Sequence, residues 1–155
     1  MRVFVVLLWL LCSQAMLAQN DILAKEYFEK GQFEKAVIAY EDLLAQNPNN
    51  SIYFANLVTS YQELSQFDKA EKRIIERQKR TNQPNLYIDL GYNFQLQKKP
   101  LKAEENYNKA LEMRDTLKLR VEIAEVMRDD FKDDSSYYWH CEEMIEKYPS
   151  EPEGY

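Results

Sequence analysis

GQFEKAVIAYEDLL (Gly31–Leu44) is followed thirty-four residues later by SQFDKAEKRIIERQ (Ser65–Gln78). The echo extends well beyond these two stretches. Leu23 recurs as Leu57 and Leu90, Tyr27 as Tyr61 and Phe94, Ala36 as Ala70 and Ala103, and Tyr40 as Ile74 and Tyr107. The first interval is 34 residues in every case and the second is 33. A fixed period of this size marks a chain built from stacked repeats.

Within each repeat the apolar steps are helical. Leu23, Tyr27 and Lys30 advance by four and three, as do Ala36, Tyr40, Leu43 and Leu44. Such spacing lays the residues along one stripe of a helix. Gly31 stands between the two stripes, where a first helix can end in a left-handed residue. NPNN (Asn47–Asn50) breaks the chain before the next repeat. Each repeat is therefore expected to be two antiparallel helices joined by a tight turn. Small residues at Ala36, Ala70 and Ala103 let the two helices approach. Tyr27, Tyr61 and Phe94 fill the space beside them, and burying each is worth about 1.5–3 kcal/mol. Pro100 fits the first turn of a second helix, where its missing N–H leaves no bond unmade.

At this point the sequence resembles the tetratricopeptide repeat family. The third repeat carries Tyr87, Leu90, Gly91, Phe94, Ala103, Tyr107 and Ala110. The first supplies Leu23, Ala24, Tyr27, Gly31, Ala36, Tyr40 and Pro48, with Asn20 where the family has an aromatic. The second supplies Phe54, Leu57, Tyr61, Phe67 and Ala70, but has Arg77 in place of a small residue and a late proline, Pro84. The resemblance implies an all-α solenoid of helix pairs. It gives repeats over residues 19–50, 51–83 and 84–117 and a degenerate fourth over 118–151, with 152–155 as a tail. Helices of the fourth are expected over about 116–129 and 135–148, with Tyr137 bulky where the family has Ala. The chain's last residues, SEPEGY, read either as a linker into a further repeat or as the end of a fourth repeat that acts as a cap.

The first 18 residues read as an address. Arg2 precedes an apolar run from Val3 to Leu11, and small residues follow. This is the pattern of a secretory signal peptide, too short to cross a bilayer as a helix. A cut after Ala18 is favoured over one after Ala15. Cys12 follows Leu11 where a lipoprotein signal has a small residue, so lipidation fits it poorly. The protein is expected to be exported to the bacterial periplasm or envelope, with Cys141 as its one remaining cysteine and no internal disulfide.

The totals narrow the function. Three Gly in 155 residues argue against glycine-rich phosphate loops, and a net charge of −6 argues against nucleic acid. Membrane association is expected only through a partner. His140 and Cys141 are adjacent in sequence and point about 100° apart on a helix, so they make no catalytic pair. Cys141 is expected in the core of the last helix pair. Asp129, Asp130, Asp133 and Asp134 lack the spacing of a calcium loop. They read as a solvated turn. Lys69, Lys72, Arg73, Arg77, Lys79 and Arg80 read as a charged outer face, or as a patch for an acidic partner or lipid. No catalytic residue, cofactor or metal is expected.

In the family the first helix of each repeat lines a groove. By that resemblance the groove-facing residues here are Lys25, Phe28, Ala55, Asn56, Thr59, Gln62, Ile88, Asp89, Tyr92, Gln95 and Glu122. Members that bind chaperones use a basic clamp for a carboxylate. Asn56 matches one clamp residue, but Asp21 and Asp89 stand at cationic places and oppose that ligand. The expected function is a non-catalytic scaffold or adaptor that binds a protein or peptide in the groove. The alternative is an N-terminal spacer or docking segment of a longer multidomain protein.

Overall fold

The computed structural model describes residues 20–128 and 135–149. Among them are eight helices and no strand. They are α1 (20–29), α2 (Phe33–Gln46), α3 (Ser51–Glu63), α4 (Phe67–Thr81), α5 (Asn85–Leu96), α6 (Pro100–Met113), α7 (Leu117–Arg128) and α8 (Ser135–Lys147). The expectation of an all-α chain of consecutive helix pairs holds. The proposed leader with Cys12, the aspartates from Asp129 to Asp134, the side chains of Tyr137 and His140 and the proposed tail lie outside the described residues. The chain divides into two compact units, Met1–Ala70 and Glu71–Tyr155, with the boundary inside α4.

In the first unit α2 packs against α3. Ala24, Ala36, Tyr40 and Leu43 are buried, as the stripe of the first repeat requires. Phe28 meets Phe33 and Tyr40 edge-on, with ring centroids 5.8 and 6.3 Å apart. The start of α3 is fixed by Asn50 from the expected breaker. Its side-chain oxygen accepts from the backbone N–H of Ile52 at 2.9 Å and of Tyr53 at 3.1 Å, satisfying two donors that the helix leaves open.

In the second unit α5 packs on α6, α7 on α8, and α7 on both α5 and α6. One core joins three of these helices: Ile88 and Phe94 of α5, Ala103, Tyr107 and Ala110 of α6, and Leu119, Ile123 and Met127 of α7. Gly91 lies against the Tyr107 ring so closely that a Cβ there would sit 2.3 Å from a ring carbon. Glycine is required at this contact. Pro100 takes the first turn of α6, as expected.

The turn inside each pair is the same device three times. Gly31, Ser65 and Lys98 have φ of +67°, +56° and +57°. The residue after each donates its backbone N–H back across the turn to the preceding helix: Gln32 to Tyr27 O (2.8 Å), Gln66 to Tyr61 O (2.8 Å) and Lys99 to Phe94 O (3.0 Å). The left-handed residues themselves donate to Phe28, Gln62 and Gln95. This is the Schellman closure of a helix end. The sequence announces it only at Gly31. Ser65 and Lys98 reach it although L-residues are disfavoured there by about 1–2 kcal/mol.

The last pair is held by charge. Arg120 of α7 is buried and makes a two-pronged pair with Asp115, Nε to Oδ1 at 2.7 Å and Nη2 to Oδ2 at 2.9 Å. Its remaining Nη1 donates to Glu143 of α8, and Lys147 of α8 donates to Asp115. The Arg120 guanidinium, with Lys147, holds Asp115 at a pKa of about 2 despite partial burial. Cys141, expected in the core of this pair, is only half-buried.

Candidate functional site

The residues expected to meet a partner divide by unit. In the first unit Lys25 is exposed and lies 3.6 Å from Glu29 one turn along. Phe28 is half-buried in the ring cluster. Asn56 is half-buried and its amide donates to the Tyr40 hydroxyl at 2.8 Å, tying α3 to α2. Thr59 is half-buried, while Gln62 is buried. Lys25, the visible part of Asn56 and Thr59 are the surface that remains.

In the second unit the expectation needs two corrections. Gln95 is 1% exposed and does not face a groove. Its side-chain N–H donates to the Val126 carbonyl of α7 at 2.9 Å, and its oxygen accepts from the Tyr107 hydroxyl of α6 at 2.7 Å. It is the polar knot of three helices, because a buried tyrosine hydroxyl needs a partner. Ile88 is buried in the same core. The second correction concerns Arg77, placed by sequence on a charged outer face. It is buried, and burial lowers its pKa while Asp89 raises it. Elsewhere in that basic run, Lys72, Lys79 and Arg80 are not buried, Arg73 pairs with Glu76 at 3.1 Å, and Lys69 lies over the Tyr61 ring.

What the second unit does bring together is a small polar surface on α5 and α7. Asn85, Asp89 and Tyr92 follow one another by four and three along α5, so they share a face. The Asn85 amide donates to both oxygens of Glu122 on α7, at 2.9 Å each. Burial, and then the Glu122 carboxylate, push Asp89 up to about 6 against the pull of Arg77. Tyr92 is an exposed aromatic on the same face. Asp89, Tyr92 and Glu122 are legible in the sequence as partner-facing residues. Asn85 is not among those expected, although it precedes Asp89 by one helical turn and the stripe alone points to it.

The chemistry of this surface is recognition. Two carboxylates, one amide and one phenol offer acceptors, a donor and a ring face. Among the described residues no group of three or more His, Cys, Asp or Glu side chains could hold a metal ion. No described helix is long and apolar enough to cross a membrane.

No curated protein matches the chain. Residues 21–50, which span α1, α2 and the turn that follows, match the family model described as the tetratricopeptide repeat.

Proposed function

We propose that this chain is a non-catalytic protein–protein interaction module, a scaffold or adaptor that acts in the bacterial envelope after export and loss of its leader. It binds a protein or peptide on the first helices of its pairs, and in the second unit on the face shared by α5 and α7. Tetratricopeptide repeats generally mediate contacts between proteins, and residues 21–50 match that family. The observation that carries the reading is the Asn85–Asp89–Tyr92 stripe with Glu122 beside it. An exposed tyrosine next to hydrogen-bonding groups on a rigid helix is the usual make-up of a binding hot spot. Two neighbouring carboxylates disfavour an acidic ligand and suit one that brings a basic or donor group.

Crosslinking in the native envelope, with partners identified by mass spectrometry, tests the reading. The double variant Tyr92→Ala with Asp89→Asn should reduce recovery of a specific partner about tenfold, the equivalent of about 1.4 kcal/mol. Unchanged recovery would remove this face from the interaction. Localisation is tested separately by fractionation and by sequencing the mature N-terminus, which should begin at Gln19.

A further inference from the structure

α1 and α2 enclose a cleft of about 340 Å³, lined on its apolar side by Leu23, Tyr27, Ile38, Ala39 and Leu43. Leu23 occupies a repeat position that is closed elsewhere. Its counterparts Leu57, Leu90 and Ile123 are all buried, whereas Leu23 is 41% exposed. Ile38 is 67% exposed. Its counterparts in the next two repeats are Lys72 and Glu105, which suit water. The first repeat thus carries apolar side chains at two places where solvent reaches them.

The second unit shows what covers such a face. Ile123 and Met127, the counterparts of Leu23 and Tyr27, share a core with Tyr107 and Ala110 of α6, and Leu111 packs against it. The same α6 positions recur 34 residues later on α8 as Cys141, Met144 and Ile145. Met144 is buried, but Ile145 is 39% exposed and Tyr138, two turns before it, is 55% exposed. Tyr138, Cys141 and Ile145 step by three and four, along one stripe of α8. The α8 stripe is therefore the counterpart of the one that closes α7, and the α1–α2 cleft is the counterpart of the face it closes.

We propose that the α1–α2 cleft receives α8 of a second copy of this chain. The α6–α7 packing, built once inside the second unit, is built again between molecules. The contact joins two different surfaces, so it is heterologous, and each copy keeps one free acceptor and one free donor. This interface is separate from the α5–α7 face, and either can fail without the other.

Sedimentation of the full chain tests the proposal. The weight-average mass should rise above the 18.5 kDa of one chain as concentration increases. Ile38→Asp and, separately, Ile145→Asp should each restore 18.5 kDa with unchanged helical circular dichroism, since both side chains are solvent-exposed. Mixed together, the two variants should form a capped dimer of twice 18.5 kDa, because one retains a working cleft and the other a working α8. An Ile38→Cys variant should be joined to Cys141 of another copy by a short bis-maleimide. A single 18.5 kDa species at every concentration would overturn the proposal. Failure of the mixed variants to pair would also overturn it. So would linkage of the introduced thiol to Cys12 of the same chain, which would make the leader the occupant.

Discussion

The two units use the same tyrosine in different ways. Tyr40 and Tyr107 hold one repeat position, and each is buried at the joint between helices. In the first unit the Tyr40 hydroxyl accepts a bond from Asn56, on the first helix of the following repeat. In the second unit Tyr107 donates to Gln95 of its own repeat, and Gln95 reaches on to Val126 of the following one. Both phenols tie a repeat to its successor, the first directly and the second through a relay. The helix opposite also differs. Ala24 faces this position in the first repeat's register and Gly91 in the third, where the ring sits tight against the backbone.

The sharpest way to break the comparison is to give the second unit the first unit's small residue. Gly91→Ala places a methyl 2.3 Å from a ring that has no exposed edge to retreat to. We expect a loss of about 3 kcal/mol in denaturant unfolding, in the range of severe overpacking. Ala24→Gly in the first unit should cost only about 1 kcal/mol, from helix propensity.

Charge is the second contrast. The described ion pairs of the first unit, Lys25 with Glu29 and Lys30 with Glu26, are exposed and worth little. The Arg120 guanidinium is buried. Asp115→Asn should cost about 2 kcal/mol at pH 7, measured by denaturant unfolding. The folded pKa of Asp115 lies below its unfolded value, so this stabilisation is present above about pH 4. It is lost as pH falls from there through about 2. The difference between wild type and variant should close over that window.

Asp89 runs the other way. Its folded pKa of about 6 exceeds the unfolded value, so its charged form destabilises the fold. Asp89→Asn should raise stability by about 1–2 kcal/mol above pH 7, with the gain fading to nothing below about pH 4. A gain that persisted well below that pH would remove the charge-based account.

Removing each hydroxyl sharpens the opening contrast directly. Tyr107→Phe withdraws the donor from Gln95 in a site closed to water and should cost about 1.5 kcal/mol. Tyr40→Phe should cost about 0.5 kcal/mol, because half-buried Asn56 can turn to solvent. Equal costs would mean that the relay adds nothing. The smallest effect concerns the shared turn. Lys98→Gly should stabilise by up to about 1 kcal/mol, since it relieves the left-handed backbone that Gly31 already tolerates.

Much of the architecture was legible because it rests on period. Ala36, Ala70 and Ala103 are all buried, and the left-handed turn at Gly31 and the proline start of α6 follow from local backbone rules. Both helices of the degenerate fourth repeat lie within a residue of the expected bounds. The candidate site was harder to read. A stripe tells which residues share a face, and it finds Asp89, Tyr92 and Glu122 together. It does not tell whether a polar residue on the edge of that face turns to water or to a buried tyrosine, and so it misplaces Gln95. Arg77 is misplaced for the same reason: its long stem allows burial, and only the neighbouring helix with Asp89 reveals it. Ser65 and Lys98 hide their turns because neither residue type favours that backbone.

The fit of Gly91 to Tyr107 also limits how the repeats can be shuffled. A second helix with tyrosine at this place must travel with a first helix that offers glycine or alanine opposite. The middle repeat has Val58 and Ile74 at these two positions. Splicing α6 onto α3 would therefore set tyrosine against valine, and such a hybrid should not assemble, whereas an exchange of whole pairs should.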